Sequence, residues 1–131
     1  PSEMCTGDPA RRSGNEYIFQ MLAMQNIETL NGMGVKKIVT QCPHCFNTLQ
    51  NEYPQLGGRY QVVHHSVYLQ QLLASGRLRT DAQADGSRSI TLHDSCYLTR
   101  YNGVISARSA TVKAANGNKM FPSKRPWMIS H

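Results

Sequence analysis

Four cysteines are the residues of this sequence best suited to chemistry: Cys5, Cys42, Cys45 and Cys96. They follow the pattern C-x36-C-x2-C-x50-C. Two thiols three residues apart at the start of a helix can both face one metal, and the helix N-terminus favours thiolate over thiol. The Cys42–Cys45 pair therefore predicts ligation of a metal or a cluster, with dithiol redox chemistry and structural burial as alternatives.

The segment before the Cys42–Cys45 pair is predicted to be a loop followed by a long helix. Turn-forming residues favour a loop over residues 1–12, and Ser13 with Glu16 has the form of a capping box that opens a helix. Gly32 and Gly34 end that helix before a β-branched strand at residues 35–40. A period of about 3.6 residues predicts one buried face. Its members are Ile18, Leu22, Met24, Ile27 and Leu30.

The Cys42–Cys45 pair itself lies where this strand passes into the next helix. Pro43 suits a first helical position, so Cys42 is predicted to be the N-cap residue. The helix is predicted to bury one face and to end before Pro54. That face carries Phe46, Leu49 and Tyr53.

The remaining predicted elements repeat the same order. Residues 60–64 form a strand, Ser66 caps a helix that Gly76 ends, and the polar residues 79–88 form a loop. The helix carries Leu69, Leu72 and Leu73 on its apolar face. A third strand, at residues 89–93, leads into Cys96.

This alternation predicts an α/β fold, an open and mainly parallel sheet with flanking helices. Ligands bind at the carboxyl ends of the strands in such sheets. Cys42 and Cys96 both follow a strand end, and the His64–His65 pair ends the middle strand. We expect the reactive residues at one edge of the sheet, with one of the two histidines buried as a hydrogen-bonded core residue.

Composition and charge exclude several classes of protein. The 131 residues are 40% hydrophobic, enough for one modest domain, and no apolar run approaches the roughly 20 residues of a membrane span. No signal-peptide pattern is present, which argues against a secreted disulfide framework. The net charge of +6 comes from residues 95–131, which hold six bases and no acid, whereas residues 1–94 are neutral. Nucleic-acid binding would rest on that basic tail alone, so we expect no nucleic-acid partner.

Three segments resemble the cysteine-rich (CCG) domain of iron–sulfur oxidoreductases, a family that includes heterodisulfide reductase and the iron–sulfur component of glycolate oxidase. Residues 5–16 (CTGDPARRSGNE) resemble its central Cys-Cys-Gly element. Residues 42–49 (CPHCFNTL) resemble the C-x-x-C that closes a repeat, and residues 93–102 (HDSCYLTRYN) resemble the His-Asp-Pro-Cys segment that opens the next. In this comparison Thr6 stands where the family often has its second adjacent cysteine, and Ser95 replaces the usual proline.

The resemblance implies an iron–sulfur cluster, of [4Fe–4S] type, and a Rossmann-like half of a cysteine-rich domain. Cys5, Cys42 and Cys45 would be ligands of the first repeat, and Cys96 would belong to the second. It implies the latter part of the first repeat at residues 1–92, the start of the second at residues 93–107, and a divergent, poorly structured basic tail at residues 108–131. The chain would be a segment of a larger protein and inactive alone.

The same resemblance implies electron transfer, or two-electron reduction of a disulfide or a quinone-linked acceptor. The implied partners are other redox subunits or domains of the parent protein, located in the cytoplasm and peripheral to the inner membrane. His44 would tune the cluster by hydrogen bonding, or be a solvated residue at a helix N-terminus. Arg11 and Arg12 would bind an anionic partner or the negative charge of the cluster, or else form a solvated or ion-paired surface.

Two other interpretations of the cysteines stay open. Zinc could be held by Cys5, Cys42 and Cys45 together with Cys96 or His44. Cys42-Pro43-His44-Cys45 also has the C-x-x-C form of thiol–disulfide oxidoreductases.

Overall fold

A computed structural model describes residues 4–79, 93 and 95–104. Along these residues run α1 (Asp8–Arg12), α2 (Glu16–Gly32), β1 (Lys37–Thr40), α3 (Pro43–Asn47), β2 (Gln61–His64), α4 (His65–Ala74) and α5 (Cys96–Thr99). A π-helical turn (Thr48–Glu52) and a 3-10 turn (Tyr53–Leu56) continue α3.

The two strands confirm the predicted α/β class. β1 and β2 pair in parallel, with Lys37 opposite Gln61 and Thr40 opposite His64. The predicted third strand lies outside the described residues except for His93, and so does the predicted tail at residues 108–131. The three domain boundaries stay predictions. No helix in the described part of the chain is long and apolar enough to cross a membrane.

One hydrophobic core joins the helices to the sheet. Its buried members are Phe19, Ala23, Ile27, Phe46, Leu49, Tyr53, Val62 and Leu98. The buried face predicted for α3 and its continuation is confirmed, since Phe46, Leu49 and Tyr53 all belong to this core.

The buried face predicted for α2 is confirmed at Ile27, which is buried, but is wrong at Ile18 and Met24, which are 38% and 60% exposed. Phe19 and Ala23 face the core together with Ile27, so the phase of the buried face is shifted. Two close approaches set this phase. A Cβ on Gly7 would lie 2.9 Å from the Phe19 ring, and a Cβ on Gly58 would lie 2.6 Å from Ile27, so both turns pack directly on α2.

The predicted loop at residues 1–12 contains a helix, α1, and the predicted capping box is absent. Pro9 suits the first turn of α1, and Asp8 and Arg12 complement its dipole. Ser13 is instead the C-cap of α1. Asn15 caps α2, its Oδ1 accepting a hydrogen bond from the Ile18 amide at 3.1 Å.

Two further helix ends differ from prediction. Helical structure continues through Pro54, because a 3-10 turn restarts there and places the proline in its first turn, where an amide donor is not needed. α4 begins at His65, since the His64 side chain caps it by accepting a hydrogen bond from the Ser66 amide. Ser66 is therefore not the cap residue.

Candidate functional site

The loop that carries Cys42 is held from both strands. The Cys42 amide donates to Thr40 Oγ1 at 3.3 Å, and His64 Nε2 lies 2.9 Å from the carbonyl oxygen of Gln41. Cys42 is the N-cap residue of α3, as predicted, and its carbonyl accepts the first helical hydrogen bond, from Phe46. The carboxyl end of the sheet thus sets the direction in which the Cys42–Cys45 pair enters its helix.

His64 confirms the prediction of a hydrogen-bonded core histidine. It is buried, and because its Nε2 faces a carbonyl oxygen that can only accept, Nε2 carries the proton. Nδ1 is then free of a proton and accepts from Ser66, whose hydroxyl lies 2.8 Å away. His65, in contrast, is exposed. His64 therefore positions the cysteine loop.

A second segment, the turn at Cys5 and Thr6, lies against the Cys42–Cys45 pair. Asn26 Nδ2 donates to the Cys5 carbonyl at 2.9 Å and to the Tyr53 hydroxyl at 3.1 Å. Tyr53 in turn donates to the Thr6 carbonyl at 3.2 Å. Gly7 follows with φ 85°, a conformation that favours glycine. Both carbonyls of the turn are therefore fixed by side chains from α2 and from the continuation of α3.

Three thiols come together at this place. The Cys42 side chain acts on the Cys45 thiol as a hydrogen-bond partner, and Cys5 is close enough to act on it electrostatically. The Thr6 hydroxyl donates to Cys45 Sγ at 3.6 Å. Burial raises the pKa of the Cys45 thiol, the Thr6 hydrogen bond opposes that rise, and Cys42 and Cys5 add to it. All four cysteines are free thiols.

Tyr53 beneath the turn is kept in its neutral form. It is fully buried, and burial, the largest cause, raises its pKa to about 12, although the Asn26 hydrogen bond partly opposes this. A neutral phenol retains the proton that it donates to Thr6. Its apolar ring belongs to the core, so the turn is anchored in the most buried part of the molecule.

Two buried carboxylates tie the Cys5 turn to the helix of the Cys42–Cys45 pair. Asp8 accepts from the Thr48 hydroxyl at 3.2 Å and pairs with Arg12 Nε at 3.2 Å. Glu52 pairs with Arg11 at 3.1 Å and with Arg12. Burial, the largest single cause, lowers the pKa of Arg12, but the charge and hydrogen bond of Glu52 together with the charges of Tyr97 and Asp8 outweigh it, so the net shift is upward. The ion-paired alternative for the two arginines is therefore the arrangement in the structure.

His44, inside the C-x-x-C pair, joins the same carboxylate network. Its Nδ1 lies 3.0 Å from Asp8 Oδ2, and its ring lies 4.1 Å from that of Tyr97. Tyr97 also stacks on Tyr101, with ring centroids 4.9 Å apart. His44 therefore bridges the Cys5 turn to α5, a role that neither prediction for this residue included.

Cys96 is the first residue of α5, and it is not among the groups that act on the Cys45 thiol. It is exposed, and within the described residues no hydrogen bond joins its sulfur to the other cysteines. α5 is nevertheless docked on α3. Leu98 is 1% exposed, and Asn102 Nδ2 donates to Asn47 Oδ1 at 3.1 Å and to the Tyr97 carbonyl at 2.6 Å.

The donor chemistry of the site fits a thiophilic metal or an iron–sulfur cluster, but as part of a ligand set. Thiolates are the ligands of iron–sulfur clusters and common ligands of zinc. Within residues 4–79, 93 and 95–104, no three His, Cys, Asp or Glu side chains are arranged closely enough to hold a metal ion as they stand. Cys42 and Cys45 already contact each other, and Cys5 lies nearby. The Cys5 thiol would have to move closer to these two to share a bound group with them.

Several residues that position the site were not predicted from the sequence. Their common feature is that they act across more than 20 positions of chain, as with Asn26 on Cys5 and Tyr53 on Thr6. The residues are Thr6, Asp8, Asn26, Asn47, Glu52, Tyr53 and Asn102. The one usable signal was the placement of Asp8 and Glu52 beside core positions, where an acid needs a cationic partner.

Comparison with known proteins bears on what such a site holds. Residues 1–50 match the CCG cysteine-rich domain family. The chain is 48% identical over 115 residues to an "EtfAB:quinone oxidoreductase" of Syntrophomonas wolfei, covering 88% of this chain and 16% of that protein. It is 43% identical over 123 residues to the "Probable iron-sulfur-binding oxidoreductase FadF" of Bacillus subtilis, covering 94% of this chain and 17% of the relative.

A third relative is less similar. It is one of the subunits of the "Dihydromethanophenazine:CoB--CoM heterodisulfide reductase" of Methanosarcina barkeri, 30% identical over 111 residues, which are 80% of this chain and 27% of the relative. The chain thus spans between about a sixth and about a quarter of these relatives. No solved structure is significantly similar to it. Residues 1–50 thus match the CCG cysteine-rich domain family, and over most of its length the chain is similar to segments of iron–sulfur oxidoreductases.

Proposed function

We propose that the chain contributes Cys5, Cys42 and Cys45 as thiolate ligands to a [4Fe–4S] cluster. The observation that carries the proposal is that two segments 37 residues apart bring their thiols to one place: Cys42 and Cys45 contact each other, and Cys5 lies within electrostatic range of Cys45. When bound, the cluster would supply one-electron chemistry.

The residues around the thiols are suited to holding such a group. Tyr53 and Asn26 fix the Cys5–Thr6 backbone, and Asp8 and Glu52 tie this turn to the helix of Cys42 and Cys45. Outer partners of this kind orient metal ligands and tune the metal. Cys96 would contribute to a separate, second set of ligands, in keeping with the division into repeats at residues 1–92 and 93–107.

We assign the chain to electron transfer or disulfide-reductase-type chemistry within a larger redox protein, with other redox subunits or domains as its partners. The names of the relatives support this assignment, since one is a quinone oxidoreductase and another belongs to a heterodisulfide reductase. Transfer to a quinone would place the parent protein on the cytoplasmic side of the inner membrane.

The test is the metal and sulfide content of the chain purified without oxygen and reconstituted with iron and sulfide. We expect iron together with acid-labile sulfide, and loss of both in a Cys42→Ser variant. The matched control is Ser75→Ala, which changes a hydroxyl residue at the end of α4. Zinc without iron would replace the proposal by a zinc module, and neither metal would leave a dithiol function.

A further inference from the structure

Thr6 is the one non-sulfur side chain found in direct contact with a cysteine sulfur among the described hydrogen bonds. Its hydroxyl donates to Cys45 Sγ at 3.6 Å, within the range of a hydrogen bond to sulfur.

The backbone of Thr6 is fixed so that its hydroxyl stays on Cys45. Tyr53, fully buried, donates to the Thr6 carbonyl, and Asn26 donates to the preceding carbonyl, of Cys5. Gly7 then packs against Phe19 with no room for a side chain. Because threonine is branched at Cβ and its χ1 is stiff, a fixed backbone also restricts where the hydroxyl points.

We propose that Thr6 is a positioning residue that tunes the metal site by donating a hydrogen bond to the sulfur of Cys45 when that sulfur is a ligand. The inference rests on the proposed function. Hydrogen bonds to ligand sulfurs are one of the factors that set the reduction potential of iron–sulfur clusters. A donor stabilises the more negatively charged, reduced state, so Thr6 raises the reduction potential.

Two substitutions separate this role from a purely structural one. Thr6→Val keeps the branched shape and removes the hydroxyl, whereas Thr6→Ser keeps the hydroxyl. The matched control is Thr29→Val, because the Thr29 hydroxyl bonds only the Gln25 carbonyl within α2. All four proteins are reconstituted, and the midpoint potential is measured by equilibrium redox titration followed by electron paramagnetic resonance.

We expect Thr6→Val to lower the ratio of reduced to oxidised cluster at a fixed poise by about threefold to tenfold, where tenfold corresponds to about 59 mV for a one-electron couple. Thr6→Ser and Thr29→Val should stay near the parent chain. A Thr6→Val midpoint potential equal to that of the parent chain overturns this inference and leaves the proposed function standing. A parent chain that binds no iron overturns both.

A second measurement does not need the cluster. Co²⁺ bound to thiolates shows a sulfur-to-metal charge-transfer band, whose energy falls when a sulfur loses a hydrogen-bond donor. We expect this band to move to longer wavelength in Thr6→Val and to return in Thr6→Ser. An identical band in all the variants contradicts the assigned contact.

Discussion

Cys42 and Cys96 begin helices in similar ways, yet their surroundings differ. Both stand at the start of a helix after extended backbone, with ψ 122° at Cys42 and ψ 127° at Ser95. Cys42 is half-buried and contacts Cys45, whereas Cys96 is exposed. The difference is the second segment: the Cys5 turn lies over Cys42 and Cys45, and no described segment does the same for Cys96. A helix N-terminus therefore becomes a site only where a second chain segment is fixed against it.

The largest effect should come from removing one thiol from each region and comparing the iron that remains bound. Cys45→Ser should reduce bound iron more than about tenfold, since even loss of an outer partner of a metal site costs ten- to a hundredfold in affinity. Cys96→Ser should leave most of the iron in place, because Cys96, unlike Cys42 and Cys5, is not among the groups that act on Cys45. Iron per chain, measured after reconstitution and desalting, checks both. Equal losses in the two variants would put all four cysteines in one site.

The segment around Cys96 should also have a lower local stability than α3. Leu98 is 1% exposed in the shared core, so Leu98→Ala should cost about 2–5 kcal/mol through lost burial and a cavity. We expect amide hydrogen exchange to rise more over residues 96–104 than over α3. If exchange in α3 rises equally, α5 is part of the same cooperative unit and the two regions are not separable.

The next largest effect should come from breaking the ion pairs that connect the Cys5 turn to α3 and its continuation. Glu52→Gln removes the charge that pairs with Arg11 and Arg12. The loss should be about 2 kcal/mol in the free energy of unfolding, less than for a fully buried pair because both arginines are partly exposed. Urea denaturation measures it, with Glu28→Gln on the exposed face of α2 as the control. A variant as stable as the parent chain would show that packing alone holds the turn.

The smallest expected change in stability concerns Tyr53, which lies beneath the Cys5 turn. Tyr53→Phe should cost about 1 kcal/mol at neutral pH, since the Thr6 carbonyl loses its donor. Because the folded-state pKa of about 12 lies above the ordinary value of 10.0, this tyrosine stabilises the fold below pH 10 and loses that contribution as pH rises through 12. The variant should therefore lose less stability between pH 10 and 12 than the parent chain. Parallel stability curves would contradict a neutral, buried Tyr53.

The parts of the fold that local sequence determines were predicted well. Pro43 after a β-branched run marked Cys42 as an N-cap, and both described strands agree with prediction within two residues. Two local predictions were wrong, because Asn15 and His64 cap the helices whose caps were assigned to Ser13 and Ser66. Another error arose where distant segments decide. The phase of α2 depends on Gly7 and Gly58 packing against it.

The site follows the same division. The cysteines were found from residue type and spacing, and the family from three short motifs. The residues that hold the cysteines in place were not predicted, because their contacts form only after the chain has folded. Asp8 then contacts Thr48, and Asn102 contacts Asn47. A single sequence carries no periodic signal for such contacts.

The most direct test of the account is to find which cysteines the bound group shields. The reconstituted chain is treated with iodoacetamide without oxygen, and the labelled positions are read by peptide mass spectrometry, with the metal-free chain as reference. We expect Cys5, Cys42 and Cys45 to be protected together from alkylation, and Cys96 to be labelled. Labelling of Cys5 at the rate of Cys96 while Cys42 and Cys45 stay shielded, or shielding of Cys96 with them, would contradict it.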